Sequence, residues 1–289
     1  MINLESILKS IEKLPTLPQV AIKALKKLDN PEISVNDVVS IIQYDQAITA
    51  NVLKIANSAY YGKSRKVRSL SEALVLLGNK QLKEIILTSS VINIFQNENK
   101  GYQKAKGELW KHAASCAIIS KLISKHMGKP ELPSLFTAAL IHDIGKLALD
   151  SYVERYQEQI IALVIEKQYC FTDAEKEMIG MNHAEVGAKI AEMWHFPEEI
   201  VTAIRLHHSP EMASDNDEIT PIVHLANIIT TLLGIGAGVD TFANKGKSEI
   251  LKKCGLNGND VQKIMVAFYE IYYNIQDLLT GNLKDDEQY

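Results

Sequence analysis

A histidine and an aspartate stand side by side, His142 and Asp143, in a stretch that is otherwise mostly apolar. The stretch runs from Phe136 to Leu149 and has the pattern of a helix. Burying an unpaired imidazole and carboxylate costs free energy, so something must compensate them. A divalent metal ion suits this role, because imidazole nitrogen and carboxylate oxygen are both ligands of zinc, manganese and iron.

Further histidines along the chain are candidates for the same metal centre. They are His112, His183, His207 and His208. Their segments have helical patterns, and helices packed in a bundle can direct side chains into one shared site. Asp143 has two carboxylate oxygens and can therefore bridge two ions. Two bridged ions polarise a phosphoryl group and activate water, which is the arrangement used in many phosphoester hydrolyses.

Simpler roles remain open for the histidines. His207 and His208 end a predicted helix, where a histidine interacts favourably with the helix dipole without any metal. An isolated histidine is more often a surface residue or a hydrogen-bonded core residue than a ligand. We expect this ordinary role for His126 and His195, and for His224, which lies close to the proposed centre in the predicted bundle.

Composition limits the classes of function. The net charge of −4 over 289 residues argues against an extended nucleic-acid surface or binding to anionic membranes. Three cysteines without a Cys-x-x-Cys pair favour a reducing, cytoplasmic setting over a disulfide framework. The first residues do not have the pattern of a signal peptide. Residues 219–239 contain no Asp, Glu, Lys or Arg, but Pro221 and a glycine-rich end favour a buried helix over a membrane span.

The elements that must position the candidate ligands are all predicted to be helices. Apolar residues recur at helical spacing, and no segment alternates strictly over the length of a strand. The predicted helices that carry ligands span residues 107–127, 133–149, 183–194, 197–208 and 219–234. The chain is therefore predicted to be all-α.

A polar stretch at residues 97–104 contains a glycine and is the best candidate for a domain boundary. It divides the chain into an N-terminal helical layer, residues 1–97, and a helical bundle with a C-terminal extension, residues 105–289. The candidate metal ligands all lie in the second part.

The order of these ligands resembles the HD superfamily of metal-dependent phosphohydrolases. Residues 142–146, His-Asp-Ile-Gly-Lys, are similar to the HD-x-G-K motif of the HD-GYP branch. The Gly-Tyr-Pro signature of that branch is absent, since His208 is followed by Ser-Pro-Glu. The resemblance implies a cofactor of one or two divalent transition metal ions, with iron, manganese, zinc and nickel as the candidates.

The same resemblance implies a role for each ligand. One ion would be held by His112, His142 and Asp143, and a second, bridged through Asp143, by His183, His207 and His208. The family's last ligand is an aspartate, where this chain has Asn227, a neutral and poorer ligand. We therefore expect the first site to bind metal more weakly than the second. Lys146 would lie near a phosphate, where a point-charge cation is useful, and Asp143 and Lys146 are the candidate catalytic residues.

Four motifs in the N-terminal half resemble the HDOD family, the HD-related output domain. They are LPTLP from Leu14, DQAITANVL from Asp45, ANSAYYG from Ala56 and ALVLLG from Ala73. The resemblance covers residues 10–235 and implies an all-α bacterial signal-transduction protein. It also implies signalling partners of the receiver or diguanylate-signalling type.

The end of a predicted helix supplies candidates for partner binding: Asn57, Tyr60 and Tyr61. A local role as cap and turn is equally open for these residues. The basic residues that follow, within 63–68, are either a solvated loop or a docking patch for an acidic partner or a nucleotide phosphate.

Two functions follow from these patterns. The first is a regulatory HDOD module with a largely retained HD-type metal site. The alternative is an active metal-dependent phosphohydrolase, a phosphodiesterase acting on a nucleotide or cyclic dinucleotide. Asn227 and the missing Gly-Tyr-Pro favour the first, while the full set of histidines and Lys146 favour the second. The sequence leaves open whether the protein is an enzyme.

Overall fold

A computed structural model describes most of the chain. The residues outside its description are 1–3, 16, 29, 31, 44, 58–66, 96, 103, 130–131, 133, 237, 241–247 and 275–289. Within the described residues every regular element is a helix, apart from an isolated β-bridge between Asn99 and Lys104. The all-α prediction is confirmed.

The first part of the chain is helical, and polar side chains cap some of the helix starts. In order its helices are α1 (Leu4–Glu12), α2 (Gln19–Leu28), α3 (Val35–Ile42), α4 (Gln46–Ala56) and α5 (Leu70–Phe95). The Ser34 hydroxyl accepts a hydrogen bond from the first turn of α3, and the Asp45 carboxylate does the same for α4. Helix α5 is interrupted at Gly78, whose φ of 73° lies in the positive range that glycine adopts readily.

The chain packs as two compact units. One comprises residues 16–94 and 270–289, and the larger comprises residues 1–15 and 95–269. In the larger unit Tyr152 donates a hydrogen bond to the carbonyl of Ser6, which fixes α1 beside the helix that carries Tyr152. The sequence analysis places the domain boundary at residues 97–105 and so assigns α1 to the N-terminal layer. This domain division stays a prediction.

The larger unit is a bundle that carries all the candidate metal ligands. Its remaining helices are α6 (Glu108–His126), α7 (Leu135–Ile141), α8 (Gly145–Arg155), α9 (Gln157–Glu166), α10 (Phe171–Ile179), α11 (His183–Met193), α12 (Glu198–Leu206), α13 (Ile219–Leu232), α14 (Ser248–Lys253) and α15 (Gly258–Asn274), which extends past residue 269. Helix α6 packs on α7 and α13, and α11 packs on α8 and α12. The ligands lie on the inward sides of these packed helices.

One predicted helix, 133–149, is two helices in the structure. Helix α7 ends at Ile141 and α8 begins at Gly145. In between, backbone bonds reach only three residues back, from the amide of Ile144 to the carbonyl of Ile141 at 3.0 Å, for example. A Cβ on Gly145 would lie 2.0 Å from the carbonyl oxygen of His183, so only glycine lets α8 start this close to α11. The apolar pattern continues through the turn and therefore does not reveal it.

The uncharged segment that starts at residue 219 forms α13, a helix of 14 residues that is largely buried in the bundle. None of the helices in the described ranges combines the length and the apolar character that crossing a membrane requires.

Candidate metal centre

The six histidine and aspartate ligands predicted above come together in the larger unit. His112 lies on α6, His142 and Asp143 lie in the turn between α7 and α8, His183 begins α11, and His207 and His208 follow α12. Five of the six are at most 4% exposed, and His208 has intermediate exposure. The proposed ligands are thus neighbours in space as well as similar in order to the HD pattern.

Asp143 lies at the middle of this cluster, with each carboxylate oxygen facing different histidines. Its Oδ1 is 3.4 Å from Nε2 of His183 and 3.7 Å from Nε2 of His207. Its Oδ2 is 3.4 Å from Nε2 of His142 and 3.7 Å from Nε2 of His112. We call the group around Oδ2, with His112 and His142, site A. We call the group around Oδ1, with His183, His207 and His208, site B.

Hydrogen bonds from Nδ1 orient the rings so that Nε2 points inward. The Nδ1 of His142 donates to the carbonyl of Ala139 at 2.8 Å, and that of His207 to the carbonyl of Ile204 at 2.7 Å. In a neutral ring this leaves Nε2 with a lone pair, the form that binds metal.

Three buried atoms of the cluster have no hydrogen-bond partner among the described residues: Nε2 of His142, Nε2 of His207 and Oδ1 of Asp143. Such atoms are costly to bury unless something else compensates them. All three are donors to a metal ion, and they point into the cluster. The side chains present therefore fit a divalent metal.

Glu175 orients His183, and the sequence did not reveal this role. Its Oε2 accepts hydrogen bonds from Nδ1 of His183 at 2.7 Å and from the amide of His183 at 3.1 Å, while Tyr102 donates to Oε1 at 2.5 Å. A carboxylate behind a metal-ligating histidine fixes the ring and raises its basicity. No sequence pattern distinguishes Glu175 from other helical glutamates, and it lies within α10, which begins at Phe171.

The spacing of donor atoms in site B suits a single ion. Atoms bound at 2.0–2.1 Å in neighbouring positions lie about 2.9–3.4 Å apart, from octahedral to tetrahedral geometry. The Nε2 atoms of His183 and His208 are 2.9 Å apart, a hydrogen bond that a bound ion would replace, and Oδ1 of Asp143 is 3.4 Å from His183 and 3.7 Å from His207. Because His183 donates a hydrogen bond through Nδ1, its Nε2 carries a lone pair that can bind the ion of site B.

The protonation states are those that metal ligands require. Burial lowers the pKa of His112 to about 3 and also lowers the pKa values of His142 and His207, so these rings are neutral near pH 7. Burial alone would raise the pKa of Asp143, but Lys146 and the neighbouring histidines outweigh it and hold that pKa well below its usual range. Neutral imidazole and ionised carboxylate are the forms that bind metal.

Lys146 is held between two carboxylates. Its Nζ donates to Oδ2 of Asp143 and to Oδ2 of Asp240, both at 2.6 Å, and the side chain is only 3% exposed. Asp240 also lies 3.2 Å from Nζ of Lys104, which makes a buried network of two lysines and two aspartates. No pattern in the sequence pointed to Asp240. The expected contact of Lys146 with a phosphate stays a prediction.

Asn227 lies beside site A, where the resemblance placed it. Its Oδ1 is 2.9 Å from Nε2 of His112, whose Nδ1 is 3.1 Å from the carbonyl of Ile235. A neutral ring can donate to only one of these oxygens. Because amide oxygen and nitrogen are assigned from their neighbours, Asn227 can also present its NH₂ to His112. Either way, its amide contacts a ligand of site A.

The remaining histidines are placed away from the donors or behind them. His224 lies in α13, and its Nδ1 donates to the carbonyl of His207 at 2.8 Å, which supports a ligand without adding one. His126 pairs with Asp260 at 3.2 Å, and His195 is exposed after α11. These positions agree with the ordinary roles expected for them.

The candidate partner-binding residues are described only in part. Asn57 ends α4, where its amide accepts a bond from the amide of Val67 at 2.7 Å and donates to the carbonyl of Val67 at 2.9 Å. Its Nδ2 also donates to the carbonyl of Leu53 at 2.8 Å, which caps the last turn of α4. A role of Asn57 in partner binding stays a prediction. Tyr60 and Tyr61 lie outside the described residues, as do the basic residues 63–66.

The fold and the cluster define the class of this protein as an HD-type helical domain. The model of the HDOD domain family matches residues 14–210, which is more than half of the chain. The chain therefore belongs to the HDOD family.

Solved structures with the same fold come from several bacteria. An HDOD domain protein from Geobacter sulfurreducens superposes with a TM-score of 0.72 at 23% identity, covering 98% of this chain and 99% of that one. A candidate phosphohydrolase from Shewanella amazonensis superposes with a TM-score of 0.72 at 23% identity, covering 97% of this chain and 98% of that one. A candidate signal-transduction protein from Marinobacter aquaeolei superposes with a TM-score of 0.70 at 18% identity, covering 97% of this chain and 65% of that one. At these identities the likeness shows the fold.

Two curated relatives share part of their sequence with the chain. One, from Treponema pallidum, is 25% identical over 233 residues, which is 79% of this chain and 44% of the relative. The other, from Bacillus subtilis, is 25% identical over 138 residues, 47% of this chain and 31% of the relative. The chain thus spans less than half the length of either relative.

Proposed function

We propose that this HDOD protein is a bacterial signalling module whose larger unit binds a divalent transition metal at site B and a second ion more weakly at site A. The observation that carries the proposal is the set of buried donors without hydrogen-bond partners. Oδ1 of Asp143 and Nε2 of His207 face each other at 3.7 Å, and neither atom has a hydrogen-bond partner among the described residues.

The donor set limits the identity of the ion. Three imidazoles and a carboxylate suit borderline first-row ions, so iron, manganese, zinc and nickel are the candidates for site B. Site A is the weaker because Oδ2 of Asp143 is already bonded to Lys146 and because Asn227 offers no charge.

Membership of the HDOD family and the fold shared with the Marinobacter protein support a role in signal transduction. We expect partners of the receiver or diguanylate-signalling type. The proposed contact residues for them are Tyr60 and Tyr61, with Asn57 holding the end of α4 beside them. The three cysteines are free, which supports a reducing, cytoplasmic location.

The alternative function is a metal-dependent phosphohydrolase acting on a nucleotide or cyclic dinucleotide. Two ions sharing Asp143 would supply an activated water and a clamp for a phosphoryl group. His208, with its intermediate exposure, gives one open side to such a centre. The enclosure of Lys146 between Asp143 and Asp240 favours the regulatory role, because its ammonium group is already neutralised.

The test begins with elemental analysis of protein purified without chelator. The wild type is expected to carry at least one equivalent of transition metal, and His207→Ala to lose the ion of site B. His126→Ala, which removes an exposed histidine outside the centre, is the matched control and should keep the metal. Wild-type protein with no metal above background would contradict the proposal.

A phosphodiesterase assay with added manganese or iron separates the two functions. Hydrolysis that disappears in Asp143→Ala would support the enzyme. Hydrolysis that is unchanged in this variant would come from a contaminant, and no hydrolysis by metal-loaded wild type would favour the regulatory module.

A further inference from the structure

Site A has a neighbour that neither the histidine pattern nor the resemblance includes. Cys116 lies on α6 one turn after His112, and the i, i+4 spacing puts both side chains on the same face. Its Sγ is fully buried and is 3.7 Å from Nε2 of His112. The ligand atoms of His112, Cys116 and His142 all lie within 4.8 Å of one another.

The spacing of these atoms matches one metal ion. With a metal–sulfur bond of about 2.3 Å and metal–nitrogen bonds of 2.0–2.1 Å, tetrahedral geometry places sulfur and nitrogen about 3.5 Å apart. The observed 3.7 Å between Cys116 and His112 is close to this value. Independently, Nε2 of His142 is buried without a hydrogen-bond partner among the described residues and points to the same place.

The charges around site A also call for an anionic donor. His112 and His142 are neutral, and the amide of Asn227 carries no charge. The negative charge on Oδ2 of Asp143 is shared with the ammonium of Lys146 at 2.6 Å. A thiolate would supply the full negative charge that these groups do not provide.

We propose that Cys116 is a thiolate ligand of site A, together with His112 and His142. The site would then prefer an ion with affinity for sulfur, such as zinc or iron(II), while site B is built from nitrogen and oxygen alone. The inference rests on the proposed function only in placing a metal ion in this centre.

Binding changes bonds without changing oxidation states. The S–H proton leaves to solvent as the sulfur–metal bond forms, and the metal stays divalent. The weak hydrogen bond that Cys116 donates to the hydroxyl of Thr230 at 3.3 Å is broken. If Cys116 were only a buried thiol held by Thr230, metal binding would leave that bond in place.

Cobalt(II) distinguishes a metal-bound thiolate of Cys116 from a buried thiol that binds no metal. A cobalt–thiolate bond gives a charge-transfer band in the near ultraviolet that nitrogen and oxygen ligands do not give. The full chain is stripped of metal and titrated with cobalt(II) without oxygen. Three proteins are compared: the wild type, Cys116→Ser, and the double variant Cys170→Ser/Cys254→Ser, in which Cys116 is the remaining cysteine. Circular dichroism confirms that each is folded.

The charge-transfer band is expected in the wild type and in the double variant, and it should be lost in Cys116→Ser. The visible d–d bands of cobalt in site B should persist in all three. A band that persists in Cys116→Ser, or is absent from the double variant with cobalt bound, contradicts the inference and leaves the proposed function standing. Failure of cobalt to bind the wild type contradicts the proposed function itself. If Cys116→Ser does not fold, the double variant decides alone.

Discussion

Sites A and B share one aspartate, yet its two oxygens have different surroundings. Oδ1 has no hydrogen-bond partner among the described residues and faces site B, whereas Oδ2 accepts a bond from Lys146 and faces site A. Behind site B, Glu175 fixes His183 with a charged hydrogen bond. Behind site A, His112 meets a carbonyl and an amide. These surroundings predict that site B binds metal more tightly than site A.

The largest effect is expected from Asp143→Ala, which removes the ligand common to both sites. We expect the loss of all bound metal, together with a lower free energy of unfolding, because Lys146 keeps only Asp240 as a buried partner. Metal content and denaturant unfolding measure the two effects. Asp215→Ala removes an exposed aspartate and should change neither. Metal retained at either site in Asp143→Ala would show that the carboxylate does not bridge.

Glu175→Gln should weaken site B and leave site A unchanged. Loss of a carboxylate behind a metal-bound histidine typically costs 10–100-fold in affinity, so we expect about that loss at the tighter site. Isothermal titration with zinc into metal-free protein measures both affinities. Glu177→Gln, an exposed change on the same helix, is the control. Equal weakening of both sites would mean that Glu175 supports the fold rather than His183.

Asn227→Asp should narrow the difference between the sites by strengthening site A. The new carboxylate would lie about 3 Å from Nε2 of His112, close enough to share a metal ion. We expect an increase in site A affinity of roughly tenfold, since one favourable charge contact is worth on the order of 1.4 kcal/mol. The same titration measures it, with the exposed change Asn216→Asp as the control. An unchanged metal affinity of site A in Asn227→Asp would show that residue 227 does not contact the ion.

A further effect concerns pH and applies to the metal-free protein. The pKa of His112 falls from 6.5 to about 3 on folding, so between these values the unfolded chain binds a proton that the folded chain does not. The free energy of unfolding should therefore fall as pH decreases from 6.5 towards 3. Urea unfolding at several pH values measures the slope. In His112→Gln the free energy of unfolding should fall less steeply with decreasing pH. An identical slope in both proteins would contradict the lowered pKa of His112.

Much of the fold could be predicted because helical periodicity is a local property. Gly78 follows an apolar run, and Ser34 and Asp45 lie directly before α3 and α4, so these helix boundaries have short signals in the local sequence. These features require no knowledge of the distant chain. The division into α7 and α8 depends on the contact of Gly145 with α11, and no local pattern encodes that contact.

The centre itself could be predicted only in part. The histidines were found through their order along the chain, which is visible in the sequence. Glu175 resembles any glutamate of an amphipathic helix until the fold brings it to His183, and Asp240 becomes a partner of Lys146 only through a loop 94 residues away. The spacing between cysteines does not point to Cys116, because no second cysteine lies near it in the sequence. The informative spacing is the four residues between His112 and Cys116.

The close packing of Gly145 against α11 has a further consequence for metal affinity. A Cβ on Gly145 would lie 2.0 Å from the carbonyl oxygen of His183 and 2.6 Å from the amide nitrogen of Gly187, so the separation of the α8 and α11 backbones is set by direct backbone contact. The turn that carries Asp143 and the start of α11 that carries His183 are therefore at fixed separation before any ion arrives. The conformational entropy of ordering these two ligands is lost when the chain folds, and metal binding gains affinity because it does not have to order them again.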